Sequence, residues 1–276
     1  MISNRSLSWS TTTPGHIVFL IDLSESMGWD NGARINLVMS SLYQCLDEVL
    51  ERSKKGGEYL PRFTYSIIGY NSDIIDISHG GVDDLMRFLN EADERGNLFD
   101  IKGKAKPQWQ TYMAAAFNAA KRDVESWISK QKKHNIPTPI PIVINITDGH
   151  PEESGKTSEQ AMSEAETAAL ELKKISTFEG PLLLFNIHID PKKSYKEVLF
   201  PDSLDSCPDD NSRFLFRISS YIPEESVAAA KVIMGIQSLS NKCKVLLSNT
   251  NNALLVTKFI TFGTTIPINK EHPKTT

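Results

Sequence analysis

Ile17-Val18-Phe19-Leu20-Ile21, followed at once by Asp22-Leu23-Ser24-Glu25-Ser26, is the stretch of this chain that decides its fold. An uninterrupted apolar run of mostly branched side chains reads as a strand buried on both faces, as in a parallel sheet. Past its end stand a carboxylate and two hydroxyls at alternating positions, all of them hard oxygen donors. A chain that leaves the strand at Asp22 and turns there can aim these side chains at one point. Such a donor set suits a small divalent cation such as Mg²⁺, with water completing its octahedron.

A second apolar stretch, Ile140 to Ile146, runs into Thr147-Asp148-Gly149. It is another buried-strand candidate, with an acid at its carboxyl end and a glycine that permits a sharp turn. Between the two lies Gln110-Thr111-Tyr112-Met113, which opens a strongly periodic helix. Met113, Phe117, Ala120, Val124, Trp127 and Ile128 follow the three-to-four spacing of one buried face. Thr111 thus falls near a helix N-terminus, where a hydroxyl can cap the helix or face a metal.

In this pattern the chain resembles a von Willebrand factor type A domain, roughly over residues 14 to 240. Asp22, Ser24, Ser26, Thr111 and Asp148 match the metal-ion-dependent adhesion site of that family one for one. The Asp-x-Ser-x-Ser-Met form, ending here at Met27, is similar to intracellular bacterial members. The chain departs from the family before the threonine, where Trp109-Gln110 stands in place of the frequent glycines. The resemblance implies a doubly wound α/β fold: a mostly parallel sheet, one antiparallel edge strand and helices on both faces. It also implies that the strands ending in Asp22 and Asp148 are neighbours at the point where the strand order reverses. Ligands of open α/β sheets bind at such a point, outside the carboxyl ends of the strands.

The expected organisation is a polar lead-in over 1–14, the domain over 15–240 and a partly disordered C-terminal extension over 241–276. Ile35, Val38, Leu42, Cys45, Leu46 and Val49 define the buried face of a first helix opened by Asp30-Asn31-Gly32 and ended by Lys54-Lys55-Gly56-Gly57. Phe63–Tyr70 and Ile74–Ser78 read as a strand pair, followed by a short helix near Val82 to Glu91. Residues 93 to 108 read as a charged loop leading to the site. Thr157-Ser158-Glu159-Gln160 is a capping-box pattern before another helix. Leu182 to Ile189 reads as a strand and residues 191 to 212 as irregular. Phe214 to Ser219 reads as the last core strand, and Pro223-Glu224-Glu225 as a helix start. Ala253 to Phe262 fits an edge strand, a docking helix or a partner surface, and Lys270 to Thr276 is expected to be disordered.

Composition sets the class. Hydrophobic content of 40% and charged content of 23% over 276 residues are ordinary for a globular protein. A net charge of -4 argues against nucleic acid or an anionic membrane as partner. No apolar run approaches the roughly 18 residues of a spanning helix. The N-terminus lacks the apolar core of a signal peptide. Cys45, Cys207 and Cys243 are widely spaced and odd in number, which fits neither a disulfide framework nor a zinc site. A reducing cytoplasm is the simplest setting.

Two enzyme readings compete. Gly149-His150-Pro151-Glu152-Glu153-Ser154-Gly155-Lys156-Thr157 resembles the phosphate-binding loop of an NTPase, lying between a strand and a helix as that motif requires. Its glycines are separated by one residue too many, and its two glutamates would face the phosphates they should attract. The other reading makes Asp22 the nucleophile of a Mg²⁺-dependent phosphatase. Those enzymes need a general acid two residues on, and Ser24 cannot serve at neutral pH. The expectation is therefore a non-enzymatic module. Its Mg²⁺ (or Mn²⁺), held by few charges, keeps an open position that, as the resemblance implies, a Glu or Asp of a protein partner fills. Trp29, Trp109 and His150 flank the donors in sequence, either as aromatic contact anchors for a partner or as partly buried loop residues that pack locally. Intracellular bacterial relatives work beside ATPases of the AAA+ type, kinase–phosphatase stress systems or tellurite-resistance operons.

Overall fold

The computed structural model describes residues 9–96, 107, 110–190, 192 and 194–265. Its strands in chain order are β1 (Gly15–Asp22), the small hairpin β2 (Lys54–Lys55) and β3 (Glu58–Tyr59), β4 (Phe63–Tyr70), β5 (Ile74–Gly80) and β6 (Ile142–Thr147). After these come a second small hairpin, β7 (Ser176–Thr177) and β8 (Gly180–Pro181), then β9 (Leu183–Ile189), β10 (Val198–Leu199) and β11 (Leu246–Thr250). The helices are α1 (Trp29–Arg52), α2 (Val82–Arg95), α3 (Met113–Lys133), α4 (Ser158–Lys173), α5 (Asp210–Ile218), α6 (Val227–Met234) and α7 (Ala253–Thr265).

The main sheet has the order β10-β11-β9-β6-β1-β4-β5. β1 pairs in parallel with β4 on one side and β6 on the other, and β6, β9 and β11 continue in parallel. β5 closes one edge antiparallel to β4, as the family pattern implied, and the two-residue β10 adds a second antiparallel contact at the far edge. From β1 the chain moves outward to β4 and β5, then returns to β6 and moves the other way. The strand order thus reverses between β1 and β6, which opens a crevice at their carboxyl ends.

β1 is buried along its whole length, because helices cover both faces of the sheet. Ile17, Phe19 and Ile21 pack into the layer of α1, α2, α6 and α7, while Val18 and Leu20 face α3, α4 and α5. The period-two alternation of a strand thus divides the core into two layers. The structure is a doubly wound α/β fold.

Three sequence expectations are corrected. Phe214 to Ser219 is not a strand: Asp210–Ile218 is helical. Asp209 caps it, accepting from the Ser212 backbone N–H at 2.9 Å, and Phe214, Leu215 and Ile218 recur at helical spacing on its buried face. The remaining core strand is β11, within the stretch read as an extension. Only its first half is apolar; Ser248, Asn249 and Thr250 are buried all the same, so its strand signal is weak. Ala253–Thr265 is a helix docked on the sheet, where Phe259 and Phe262 meet Phe185 edge-on at 5.8 Å. Gly263 permits that approach: a Cβ there would stand 3.1 Å from Ile144 Cδ1. Finally, the lead-in read as polar contributes Trp9 to the core, its ring stacked on Phe63 at 6.4 Å. The disorder expected for 270–276 lies outside the described residues, as does most of the charged loop at 93–108.

Candidate metal centre

Asp22 is the last residue of β1, and Asp148 directly follows β6. Because these strands are neighbours, the two acids meet at the crevice although 126 positions apart in number. Asp22 is fully buried. Its Oδ1 accepts from the Ser24 backbone N–H at 2.8 Å and its Oδ2 from the Thr147 hydroxyl at 2.6 Å. The Ser24 and Ser26 hydroxyls lie 3.2 Å apart, and Ser26 Oγ donates to Asp148 Oδ1 at 2.8 Å. Hydrogen bonds therefore join four of the five predicted donors into one cluster.

Thr111 is held differently. It lies just before α3, in a backbone pair with Glu152: each N–H donates to the other's carbonyl at 3.0 Å. The next residue, Tyr112, donates its N–H to the Asn71 carbonyl at 3.1 Å, just beyond β4. These contacts bring buried Thr111 to the same end of the sheet. No hydrogen bond joins it to the other four among the described residues. Trp29 is 53% exposed at the rim, His150 is exposed, and Trp109 lies outside the described residues.

Burial, and then the charge of Asp148, push the Asp22 carboxyl up from 3.8 to about 7, against hydrogen bonds from Thr147 and Ser24 that pull it down. Two acids so placed gain from a cation between them. The 3.2 Å and 2.8 Å separations along Ser24, Ser26 and Asp148 are hydrogen-bond lengths. Carboxylate and hydroxyl oxygens gathered at one point are the donor chemistry that a small hard cation takes. The donor set is a sparse one: among the described residues no group of three or more His, Cys, Asp or Glu side chains is placed to hold a metal. Any ion here would rely on hydroxyls and two carboxylates.

Sequence reasoning missed Thr147, Arg34 and Asn71. Thr147 stands next to a predicted donor, and a hydroxyl on the last residue of a strand was its only signal. Arg34, on α1, is buried and its guanidinium donates to Asp148 Oδ2; nothing local links it to an acid 114 residues away. Asn71 is fully buried, and its side-chain NH₂ has no partner among the described residues.

In the stretch that resembles a phosphate-binding loop, Lys156 Nζ is bound by Glu153 at 2.6 Å and Glu164 at 2.5 Å, and the Glu152 backbone pairs with that of Thr111.

No family model matches the chain, and no curated protein matches it. Among solved structures it is similar to a von Willebrand factor type A protein from Catenulispora acidiphila, at 12% identity over 64% of this chain and 33% of that one, with a TM-score of 0.41. It is similar to proximal thread matrix protein 1 of the mussel byssus, at 18% identity over 76% and 42% of the two chains, with a TM-score of 0.44. It is also similar to a manganese-loaded TRAP protein from Plasmodium vivax, at 16% identity over 67% and 59%, with a TM-score of 0.39. In each case the match spans less than two thirds of the other chain. The strand order and the antiparallel edge agree with the von Willebrand factor A pattern that the motif implied. Among the described residues no helix is long and apolar enough to cross a membrane.

Proposed function

We propose that this chain is a protein-interaction module of the von Willebrand factor A type that uses a divalent cation, Mg²⁺ or Mn²⁺, to take an acidic side chain from a partner. The observation that carries the reading is the convergence of Asp22, Ser24, Ser26 and Asp148, all hard oxygen donors, at the carboxyl ends of β1 and β6. Asp22, Ser24, Ser26 and Asp148 would hold the cation, with Thr111 approaching from the start of α3. A cation held by only two carboxylates stays electron-poor, and its open position would supply a Lewis-acidic seat for a Glu or Asp carboxylate. Exposed Trp29 stands beside that opening and suits a contact anchor. We assign no catalytic residue: Ser24 occupies the place where a phosphatase carries its general acid, and Lys156 is neutralised by two glutamates. A cytoplasmic setting belongs to the same proposal.

The test is recovery of a partner from native extract on the immobilised protein in Mg²⁺ and again in chelator, with Ser24→Ala and Asp148→Ala in parallel. A partner retained only by the wild type with metal supports the reading. A partner bound equally in all four conditions shows that the crevice is not the binding surface.

A further inference from the structure

The guanidinium of Arg34 stands where a cation would serve Asp148. Its Nη1 donates to Asp148 Oδ2, its Nη2 lies 3.7 Å from Asp30 Oδ2, and its Nε is buried without a partner among the described residues. Its Cζ lies 5.6 Å from the centroid of the Trp29 ring. Arg34 is only 9% exposed and the Asp148 carboxylate is wholly buried. The pair is therefore shielded from solvent, and its charges act on each other more strongly than they would in water.

The backbone leading to Arg34 is unusual in the same way. Asp30, Asn31 and Gly32 follow one another in the left-handed region, at φ 55°, 58° and 76°. Glycine adopts that region freely, whereas Asp and Asn do so at a cost, so the turn persists because its surroundings hold it. Arg34 follows two residues after this turn, at the start of the helical part of α1. Beside the pair lies a cavity of about 170 Å³ lined by Arg34, Asp148, His188, Asp190, Tyr195 and Asp209. It offers room to a guanidinium that lets go of Asp148, and the charge of two further carboxylates, Asp190 and Asp209, which already accept from the Ser194 and Ser212 backbone N–H groups.

We propose that Arg34 is a built-in competitor of the metal: an intramolecular cation that neutralises Asp148 in the ion-free protein and is driven off toward the Asp190 and Asp209 side of the cavity when a divalent ion enters. The proposal rests on the metal-site reading above and adds a regulation to it. With Arg34 seated, an incoming ion meets a buried positive charge and only one uncompensated carboxylate. Arg34 then sets the metal concentration at which the module becomes competent to bind.

The test is Mn²⁺ binding to the whole chain, by calorimetry and by loss of the free-ion paramagnetic signal, in wild type, Arg34→Gln and Arg34→Lys. Arg34→Gln should bind Mn²⁺ about tenfold more tightly or better, the scale on which one buried charge shifts its neighbour, with Arg34→Lys between it and wild type. Binding by Arg34→Gln where wild type shows none would support the proposal equally. Wild type and Arg34→Gln binding with the same affinity would overturn the competition alone and leave the metal site standing. Binding by neither at millimolar Mn²⁺ would overturn both. Trp29 provides a readout without altering Arg34: its fluorescence, isolated as the difference from Trp29→Phe, should shift when Mg²⁺ draws the guanidinium off the ring. An unchanged difference at saturating Mg²⁺ would overturn the displacement.

Discussion

Thr147 donates its hydroxyl to Asp22 Oδ2 at 2.6 Å, from the end of one central strand to the end of its neighbour. This bond orients a wholly buried acid of the crevice and satisfies its second oxygen. Thr147→Val keeps the shape and removes the donor, so the metal-free protein should lose about 1–3 kcal/mol, the cost of an unsatisfied buried acceptor. Thr147→Ser should recover most of it. Urea unfolding of the three proteins in chelator checks this, and equal midpoints for wild type and Thr147→Val would refute it.

Mg²⁺ or Mn²⁺ should raise the melting temperature. An ion at about 100 times its dissociation constant adds roughly 2.7 kcal/mol when it binds only the native state. Asp22→Ala should abolish that shift while still folding, since the flanking strand core does not depend on the carboxylate. A melt insensitive to both ions at millimolar concentration would sink the site.

Purified protein with Mg²⁺ should neither hydrolyse ATP nor release phosphate from simple phosphoesters, because Lys156 is already held by Glu153 and Glu164. Phosphate release that disappears in Lys156→Ala would reverse that conclusion.

Lys173 and Lys244 converge on one acceptor, the Ser219 carbonyl, at 3.0 Å and 2.9 Å. Burial, and then the charge of Lys244, push the Lys173 ammonium down from 10.5 to about 8. The folded protein therefore binds this proton more weakly than the unfolded chain does. The penalty of holding it is complete below about pH 8 and disappears as the pH rises toward 10.5. Lys173→Met should stabilise the protein at pH 7 by up to about 1 kcal/mol after allowance for solvent screening, with Lys244 still serving the carbonyl. The advantage should vanish at the alkaline end of that window. Denaturant midpoints for both proteins at pH 7 and pH 10 decide the matter, and a constant difference would contradict it.

A buried polar relay crosses the sheet beneath the site. Tyr70 donates to Asn145 Oδ1 at 2.9 Å, Asn145 Nδ2 to Asn186 Oδ1 at 3.0 Å, and Asn186 Nδ2 to Ser219 Oγ at 2.9 Å. Asn145→Ala strands a donor on one side and an acceptor on the other, so it should cost about 3 kcal/mol or more. Chemical denaturation measures it, and a loss within error of zero would show that the relay is dispensable.

Much of this molecule was legible one segment at a time. The strand before Asp22, the strand before Asp148, the helix after Thr111 and the cap at Thr157 all announce themselves through runs, periods and end residues that act within a few positions. Asp210–Ile218 was misread because a short apolar cluster suits either period, and the cap at Asp209 settles it. β11 was hidden because half of a buried strand is polar and is satisfied by side chains such as His188, whose Nδ1 lies 2.8 Å from Asn249 Oδ1.

The sequence by itself determined the hydrophobic strands and the oxygen donors at their ends, because burial and turn formation are dictated locally by residue type. Only the tertiary structure decided which strand lies beside which, and therefore that Thr147 secures Asp22 and that Arg34 sits on Asp148. Those contacts join residues more than a hundred positions apart. They exist because the reversal of strand order puts β1 and β6 side by side and because α1, after the left-handed turn at Asp30 to Gly32, holds Arg34 against the residue that follows β6.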